Sequence, residues 1–212
     1  GTDDAVVLNI SKTTPWSNGP NNLIGFGSFP SADINDFNFN LVSTPLLGAR
    51  QTMGDLVMNG DNIALNIIGT SIYWTGLESN QWTTNAGVGL KNWKQSSDDV
   101  ATDFLAADDV VFNDTPGADQ TVQIDDFDLA PTTTTFNNSA FNYTLASSSI
   151  YGVLTGILSK SGTGSLTIQT NNLYNGGTNL NAGTLNVNTA AALGSGVVNI
   201  NGSSSVSFGN AI

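Results

Sequence analysis

The stretch that decides the fold is KSGTGSLTIQTNNLYNGGTNLNAGTLNVNTAAALGSGVVNINGSSSVSFG, residues 160–209. Side chains two residues apart on a strand face the same side, so an apolar pair with one residue between predicts a short strand with one buried face. Such pairs recur about 8 to 19 residues apart, with glycine at the corners between them: Leu166/Ile168, Leu185/Val187, Val198/Ile200 and Val206/Phe208. Hairpins favour two-residue loops between matched strands, so these spacings indicate the turns of a β-solenoid.

The stretch holds one lysine and no other charged residue. In a solenoid, equivalent positions of successive coils stack ~4.8 Å apart, and like charges stacked at that distance repel. Asparagine suits such a stack, because it tolerates left-handed corners and its amide can hydrogen-bond along the column. The shortage of charge therefore supports the same fold.

The rest of the chain alternates with period two, as in AVVLNI (5–10), DVVFND (109–114) and TVQI (121–124), with turn pairs such as Asn59-Gly60. The best helical candidate is SSDDVATDFLAADD (96–109), which has room for about three turns at most. We therefore predict an all-β protein with a β-solenoid over at least residues 150–212. Whether the N-terminal part is a β-sandwich, a decorated solenoid or irregular is left open.

The composition excludes several classes of function. The chain has 17 acidic and five basic residues, and a net charge of −12 disfavours nucleic acid and anionic membranes as partners. It contains no cysteine and no histidine, so disulfides, Cys/His zinc sites and Ser-His-Asp catalysis are absent. No run of ~18 apolar residues is present, so we expect no membrane insertion by this segment.

Three motifs in order resemble one known family: LSKSGTGSLTI (158–168), YNGGTNLNAGTLNVN (174–188) and ALGSGVVNING (192–202). Together they resemble the autotransporter-associated β-strand repeat of bacterial passenger domains. Upstream, YWTGLESNQWTT…NW (73–93) is similar to the segment that often precedes this repeat in very large surface proteins. The resemblance implies a right-handed parallel β-helix that is exported to the bacterial cell surface or outside the cell, without a cofactor or shared catalytic residues.

The resemblance also suggests three parts of the chain: a β-rich tail of a preceding unit (1–72), a W-T-G/N-W unit (73–149) and the repeat itself (150–212). We expect a non-enzymatic, stiff stalk or fibre segment of a large surface protein. The alternative is an adhesin or glycan-binding module, and a polysaccharide-degrading β-helix enzyme is less favoured. Expected partners are further copies of the chain, neighbouring repeats of the same chain, or a host or environmental glycan.

Two groups of side chains are candidates for binding. Clustered carboxylates can bind Ca²⁺, and the candidate ligands are Asp108, Asp109, Asp125 and Asp126, although their spacing matches neither an EF-hand loop nor the G-G-x-G-x-D calcium repeat. The alternative is a solvated acidic face that protects strand ends from edge pairing. Adjacent acids such as Asp125 and Asp126 point to opposite faces of a strand, which argues against paired-acid glycoside hydrolysis.

The second group is aromatic. Aromatic faces pack on sugar rings, so Trp74, Trp82 and Trp93 are candidates for glycan binding. The competing interpretation, which we favour, is that these rings form a core or solenoid-capping cluster that buries a large apolar area.

Overall fold

The computed structural model describes residues 6–8, 19–25, 39–41, 47, 50–85, 89–125, 127–202 and 204–209. The chain divides into two compact units, residues 1–70 and 71–212. The described residues form strands, turns and bends and contain no helix, so the fold is all-β, as predicted.

The first unit contains a three-stranded antiparallel sheet and a separate parallel pair of strands. The strands of this unit are β1 (Val6–Leu8), β2 (Gly19–Gly25), β3 (Phe39–Leu41), β4 (Gln51–Asn59) and β5 (Asn62–Gly69). In the sheet, β5 lies between β2 and β4, and β1 pairs in parallel with β3. The predicted turn at Asn59-Gly60 joins β4 to β5, with Gly60 at a φ of +59°. Leu65 and Ile67 of β5 are buried in the small core of this unit.

The second unit is a parallel β-solenoid of about four turns. Its strands are β6 (Ile72–Trp74), β7 (Trp93–Gln95), β8 (Ala101–Thr102), β9 (Asp109–Asn113), β10 (Gln120–Gln123), β11 (Thr133–Asn137), β12 (Tyr143–Ala146), β13 (Ile157–Ser161), β14 (Ser165–Ile168), β15 (Thr178–Leu180), β16 (Thr184–Val187), β17 (Val198–Ile200) and β18 (Ser205–Phe208). From β9 to β18, successive strands alternate between two sheets, and each strand from β9 to β16 pairs in parallel with the strand two places further along the chain.

The register of these strands sets the length of each coil. Thr133 pairs with both Asp109 and Ile157, so the first two coils repeat after 24 residues. Thr178 pairs with both Leu158 and Val198, so the following coils repeat after 20 residues. Parts 73–149 and 150–212 of the sequence therefore belong to one continuous stack, in which β12 pairs with β14 across the expected boundary.

The core of the solenoid consists of columns of inward-facing side chains that stack from coil to coil. In the five-stranded sheet, Val122, Leu145, Ile168 and Val187 follow one another in register and are at most 3% exposed. The apolar pairs Leu166/Ile168 and Leu185/Val187 therefore face inward, as their spacing predicted. The outer faces of the strands carry neutral ladders. In the eight-stranded sheet, Asn199 Nδ2 donates to Asn179 Oδ1 at 2.9 Å.

A glycine at one corner shows how closely the coils approach each other. Gly162 has a φ of +75°, and a Cβ atom there would lie 2.3 Å from the backbone oxygen of Asn138 in the preceding coil. Any larger residue would have to adopt a left-handed conformation and push the two coils apart. This close approach explains the glycines of the K-S-G-T-G motif.

The first coil departs from the parallel pattern. β6 pairs in parallel with β9, but β7 pairs antiparallel with β6, and β8 antiparallel with β7. The helix considered for residues 96–109 is wrong, because this segment forms a turn, β8 and a second turn. Asp99 and Ala107 have positive φ angles of +59° and +68°, which an α-helix does not tolerate.

Candidate functional site

The three candidate tryptophans lie in the core of the solenoid, at the end formed by β6, β7 and β8. Trp74 and Trp93 are opposite each other on β6 and β7, and Trp82 follows the β-bridge between Gln81 and Gln123. Their side chains are at most 2% exposed. A sugar could stack on these rings only if this end of the fold opened, whereas the favoured interpretation as a capping cluster matches their burial.

The rings pack mostly edge to face. The ring centroids of Trp74 and Trp93 are 5.0 Å apart, and those of Trp82 and Phe104 are 5.5 Å apart with an interplanar angle of 88°. Phe112 of the next coil contacts all three tryptophans. Such pairs contribute about 0.5–1.5 kcal/mol each beyond area burial. We call strands β6, β7 and β8 with Trp74, Trp82, Trp93 and Phe104 the cap.

One asparagine organises the loop that carries Trp82. Asn92 is 6% exposed, and its Oδ1 accepts hydrogen bonds from the backbone N–H groups of Glu78 and Ser79. Its Nδ2 donates to the backbone oxygen of Gln81 and to the Ser79 hydroxyl. All four hydrogen-bonding positions of the amide are therefore used. Sequence reasoning identified Asn92 only as part of the N-W motif. Its role in the loop was not visible there, because its hydrogen-bond partners lie 11 to 14 residues away in the chain.

A small polar cavity adjoins the cap. Its volume is about 10 Å³, which is room for about one water molecule. Glu78, Asn92 and Asp103 contribute to its lining, and Lys91 Nζ forms a 2.7 Å ion pair with Asp103. A cavity of this size cannot hold a sugar ring or an organic cofactor.

The structure uses the calcium candidates as hydrogen-bond acceptors. Asp108 is 1% exposed, and its Oδ2 accepts from the backbone N–H of Leu105 at 2.8 Å. Burial raises the pKa of Asp109, although a hydrogen bond from Thr133 opposes this shift. Asp125 accepts from the backbone N–H of Ser148 at 2.7 Å, and this bond holds its pKa below the usual value. Asp126 lies outside the described residues.

These carboxylates are not brought together. Within the part of the chain that the structure describes, no three Asp, Glu, His or Cys residues are grouped so that they could hold a metal ion. Asp109 begins a strand of the eight-stranded sheet, whereas Asp125 follows a strand of the five-stranded sheet. The residues that sequence reasoning placed in one acidic cluster thus belong to different sheets.

The most unusual buried group is a lysine that sequence reasoning did not single out. Lys160 of β13 is completely buried, in register between Phe136 and Leu180. Its Nζ donates to the backbone oxygens of Ser161 at 2.6 Å and Gly162 at 2.9 Å, which fixes the corner after β13. Burial lowers the pKa of Lys160 to about 8, against an opposing effect from Asp114. Lys160 lies two residues after the buried Leu158 and so shares its face, but lysine is rarely fully buried, and sequence reasoning did not place it in the core.

Asp114 follows β9, two coils before Lys160, and fixes the equivalent corner there. Its carboxylate accepts hydrogen bonds from the backbone N–H groups of Ser139, Ala140 and Phe141 in the next coil. The bond from Ser139 is the main reason that the pKa of Asp114 lies below its usual value. The carboxylate of one coil therefore ties down the corner of the next, which is a structural role.

These features define a parallel β-solenoid with an aromatic cap at one end. No family model, no curated protein and no solved structure matches the chain. No helix among the described residues is long and apolar enough to cross a membrane.

Proposed function

We propose that the chain is a non-enzymatic, structural segment of a large bacterial cell-surface or extracellular protein, in which the solenoid serves as a stiff stalk or spacer. The observation that carries the proposal is the unbroken stack of in-register parallel strands from β9 to β18. The resemblance of residues 158–202 to the autotransporter-associated repeat supports the location at the surface.

The stack suits a spacer for a physical reason. Its strand–strand hydrogen bonds run along the solenoid axis, and each coil contacts mainly its neighbours, so length can be added with nearly constant stability per coil. Each coil adds ~4.8 Å for about 20 to 24 residues. Asp114 accepts hydrogen bonds at one corner and Lys160 donates them at another, so turns of the coils are fixed as well as their faces.

An adhesin or glycan-binding module remains the second candidate, and one observation favours it. From residue 129 onward the only charged residue is the buried Lys160, so this part of the described surface is uncharged. It also exposes large apolar side chains, among them Ile150 at 82% and Leu173 at 62%. Because this surface carries no charge, it can bind an uncharged sugar polymer without the free-energy cost of removing water from a charged group.

A paired experiment distinguishes the two functions. The purified chain is digested with a broad-specificity protease, and the same preparation is applied to an array of neutral and acidic glycans. A spacer gives a resistant fragment that covers residues 71–209 and no saturable binding. Saturable binding that disappears in an Ile150→Asp/Leu173→Asp variant, with unchanged protease resistance, would replace the spacer by the adhesin. Rapid digestion between residues 109 and 187 would refute both.

The location has its own test. Antibodies raised against the chain are applied to intact cells of the source organism before and after surface proteolysis. Labelling of intact cells or recovery from the medium supports the proposal. Detection only after lysis would contradict it.

A further inference from the structure

Two aromatic rings of adjacent inner coils lie together at the side of the solenoid. Phe127 belongs to the connection between β10 and β11, and Tyr151 to the equivalent connection between β12 and β13. Each lies two residues before a member of the parallel bridge between Leu129 and Val153, so the two rings occupy equivalent positions. Their centroids are 6.3 Å apart, with an interplanar angle of 38°. We call Phe127 and Tyr151 the ring pair.

The ring pair differs from the other ring contacts in its exposure. Among the described residues, every other pair of contacting rings consists of side chains that are at most 2% exposed. Phe127 is 57% exposed, whereas Tyr151 is half-buried and packs against the core. Apolar surface in contact with water is unfavourable, so a pair of aromatic rings held at the surface is a candidate contact for a ligand.

Hydrogen bonds on both sides of the ring pair hold the two connections together. Before the rings, Asp125 Oδ1 accepts from the backbone N–H of Ser148 at 2.7 Å and from its hydroxyl at 3.0 Å. After them, Asp128 Oδ1 accepts from the backbone N–H of Gly152 at 3.0 Å. Each of these bonds joins one coil to the next. The rings are therefore preorganised, and a ligand that contacts them pays little for ordering the chain.

We propose that the ring pair binds a neutral sugar polymer. This inference rests on the second candidate function, glycan binding, and not on the spacer function. The faces of a sugar ring carry C–H groups, which pack on aromatic rings, and its rim carries hydroxyl groups. Phe127 and Tyr151 provide the apolar contact, and the exposed carboxylate of Asp128 is an acceptor for hydroxyl groups. An apolar surface with a few polar groups beside it is typical of ligand sites.

The charge around the ring pair determines which polymer fits. Asp125 and Asp128 flank Phe127, and residue 126 is also an aspartate. From residue 95 onward the only basic residue is Lys160, which is completely buried. An acidic polysaccharide would therefore meet like charges, with no exposed lysine or arginine of this part of the chain to offset them. A neutral polymer avoids this repulsion.

Affinity electrophoresis of the full chain through gels that contain a soluble polysaccharide tests the site. The neutral probes are hydroxyethylcellulose, laminarin and galactomannan, and the acidic probe is polygalacturonate. We expect a neutral polymer to retard the chain and polygalacturonate not to. Phe127→Ala removes the exposed ring and should weaken this binding at least about tenfold. The matched control, Phe208→Ala, removes the same side chain from a 66% exposed position on β18 and should have little effect.

A fluorescent reporter at the site separates stacking on the ring pair from binding elsewhere. Trp74, Trp82 and Trp93 are buried, so Phe127→Trp adds an indole ring at an exposed position. The emission of this indole, taken as the difference from the wild type, should shift to shorter wavelength when the retarding polymer is added, because the sugar excludes water from the ring. Binding without this shift would overturn the proposal.

The outcomes distinguish this site from the function on which it rests. Saturable binding that Phe127→Ala leaves unchanged would overturn the ring pair as the site and leave glycan binding intact. A chain that none of the neutral polymers retards would overturn both. Circular dichroism should be the same for the wild type and Phe127→Ala, and if that variant fails to fold, the Phe127→Trp emission decides.

Discussion

The capped end and the repeating coils of the solenoid are held together by different means. Between residues 71 and 108 the structure is stabilised by packed aromatic rings and by the antiparallel pairing of β7 with β8. The side-chain amide of Asn92 adds four hydrogen bonds. Beyond residue 129 the structure relies on short apolar pairs, glycine corners and ladders of uncharged polar side chains. The acidic residues of this unit all lie between Glu78 and Asp128, so they occur in the capped end and the first coil, and none follows residue 128.

The difference shows what each region has to solve. The end of a solenoid must cover a core cross-section and an unpaired sheet edge, for which bulky rings and antiparallel strands are effective. An inner coil has a neighbour on each side, so it needs only side chains that stack on copies of themselves. Charges are harmless where the chain leaves the stack, but in a ladder they repel.

The largest effect should come from breaking the cap. Trp93 contacts Trp74, Trp82, Phe104 and Phe112, so Trp93→Ala leaves a cavity and should lower the free energy of unfolding by about 3–5 kcal/mol. Urea denaturation measures it. Leu90→Ala serves as the control, because Leu90 is 64% exposed and should change stability by less than about 0.5 kcal/mol. Equal effects of the two substitutions would disprove a structural cap.

The next largest effect separates a strained backbone from a close contact in the coils. Gly162 and Gly117 have nearly the same φ, +75° and +74°, but a Cβ at Gly117 would meet no atom within 4 Å. Gly117→Ala should therefore cost about 1–2 kcal/mol from the left-handed conformation alone. Gly162→Ala should cost about 1–3 kcal/mol more, because the coils must move apart. Thermal and urea unfolding of both variants would show the difference, and equal losses would mean that the coils are loosely packed at this corner.

The buried lysine should give the solenoid an unusual response to pH. The pKa of Lys160 is about 8 in the folded chain and 10.5 when unperturbed, so the unfolded state binds more protons between these values. Stability should consequently rise with pH across this window. Lys160→Met lacks the titrating group, and its stability relative to the wild type should fall as the pH rises from 7.5 to about 10.

Urea midpoints at several pH values, all below the ionisation of the buried tyrosines, measure this response. Burial raises the pKa of Tyr174 to about 12, so the folded tyrosine does not titrate in the window. The unfolded tyrosines begin to ionise near pH 10, which sets the upper limit. A constant difference between wild type and Lys160→Met would show that Lys160 is not desolvated.

The smallest effect tests why the coils lack charge. Asn179 and Asn199 are stacked in one ladder, and replacing both by Asp places two like charges on adjacent strands. The double-mutant cycle should show an unfavourable coupling of about 0.2–1 kcal/mol. Because the site is exposed, added salt should reduce the coupling. No coupling at low salt would mean that the neutral composition has another cause.

The sequence predicted the repeating coils better than the cap, for a physical reason. Each coil is specified locally, since pairs such as Leu166/Ile168 and the following glycines lie within a few residues of one another. The pairs Val198/Ile200 and Val206/Phe208 do continue the inward columns, but they are more exposed than their partners because no described strand covers them.

The cap depends on contacts between distant residues that no local pattern reveals. Trp74 lies opposite Trp93 in the sheet, and its Nε1–H donates a hydrogen bond to Gln120 Oε1. Asn92 Nδ2 donates to the backbone oxygen of Gln81, on the other side of its loop. The segment 96–109 has the composition of a short helix, and its pairing with β7 overrides that preference. Burial of the tryptophans was the favoured interpretation. Strand alternation places Lys160 on the same face as Leu158, but lysine is rarely fully buried, so its residue type argued against a core position.

Hydrogen exchange of the full chain, resolved by mass spectrometry in the presence of EDTA, tests the account most directly. If the strand–strand hydrogen bonds alone stabilise the coils and the cap closes one end, the amides of β9 to β16 should exchange slowly as one block. Those of β17 and β18 should exchange much faster, because each of these strands pairs with one neighbour among the described strands. Uniform exchange across both ends, or loss of protection in β9 to β16 when EDTA is added, would contradict a self-sufficient solenoid capped at one end.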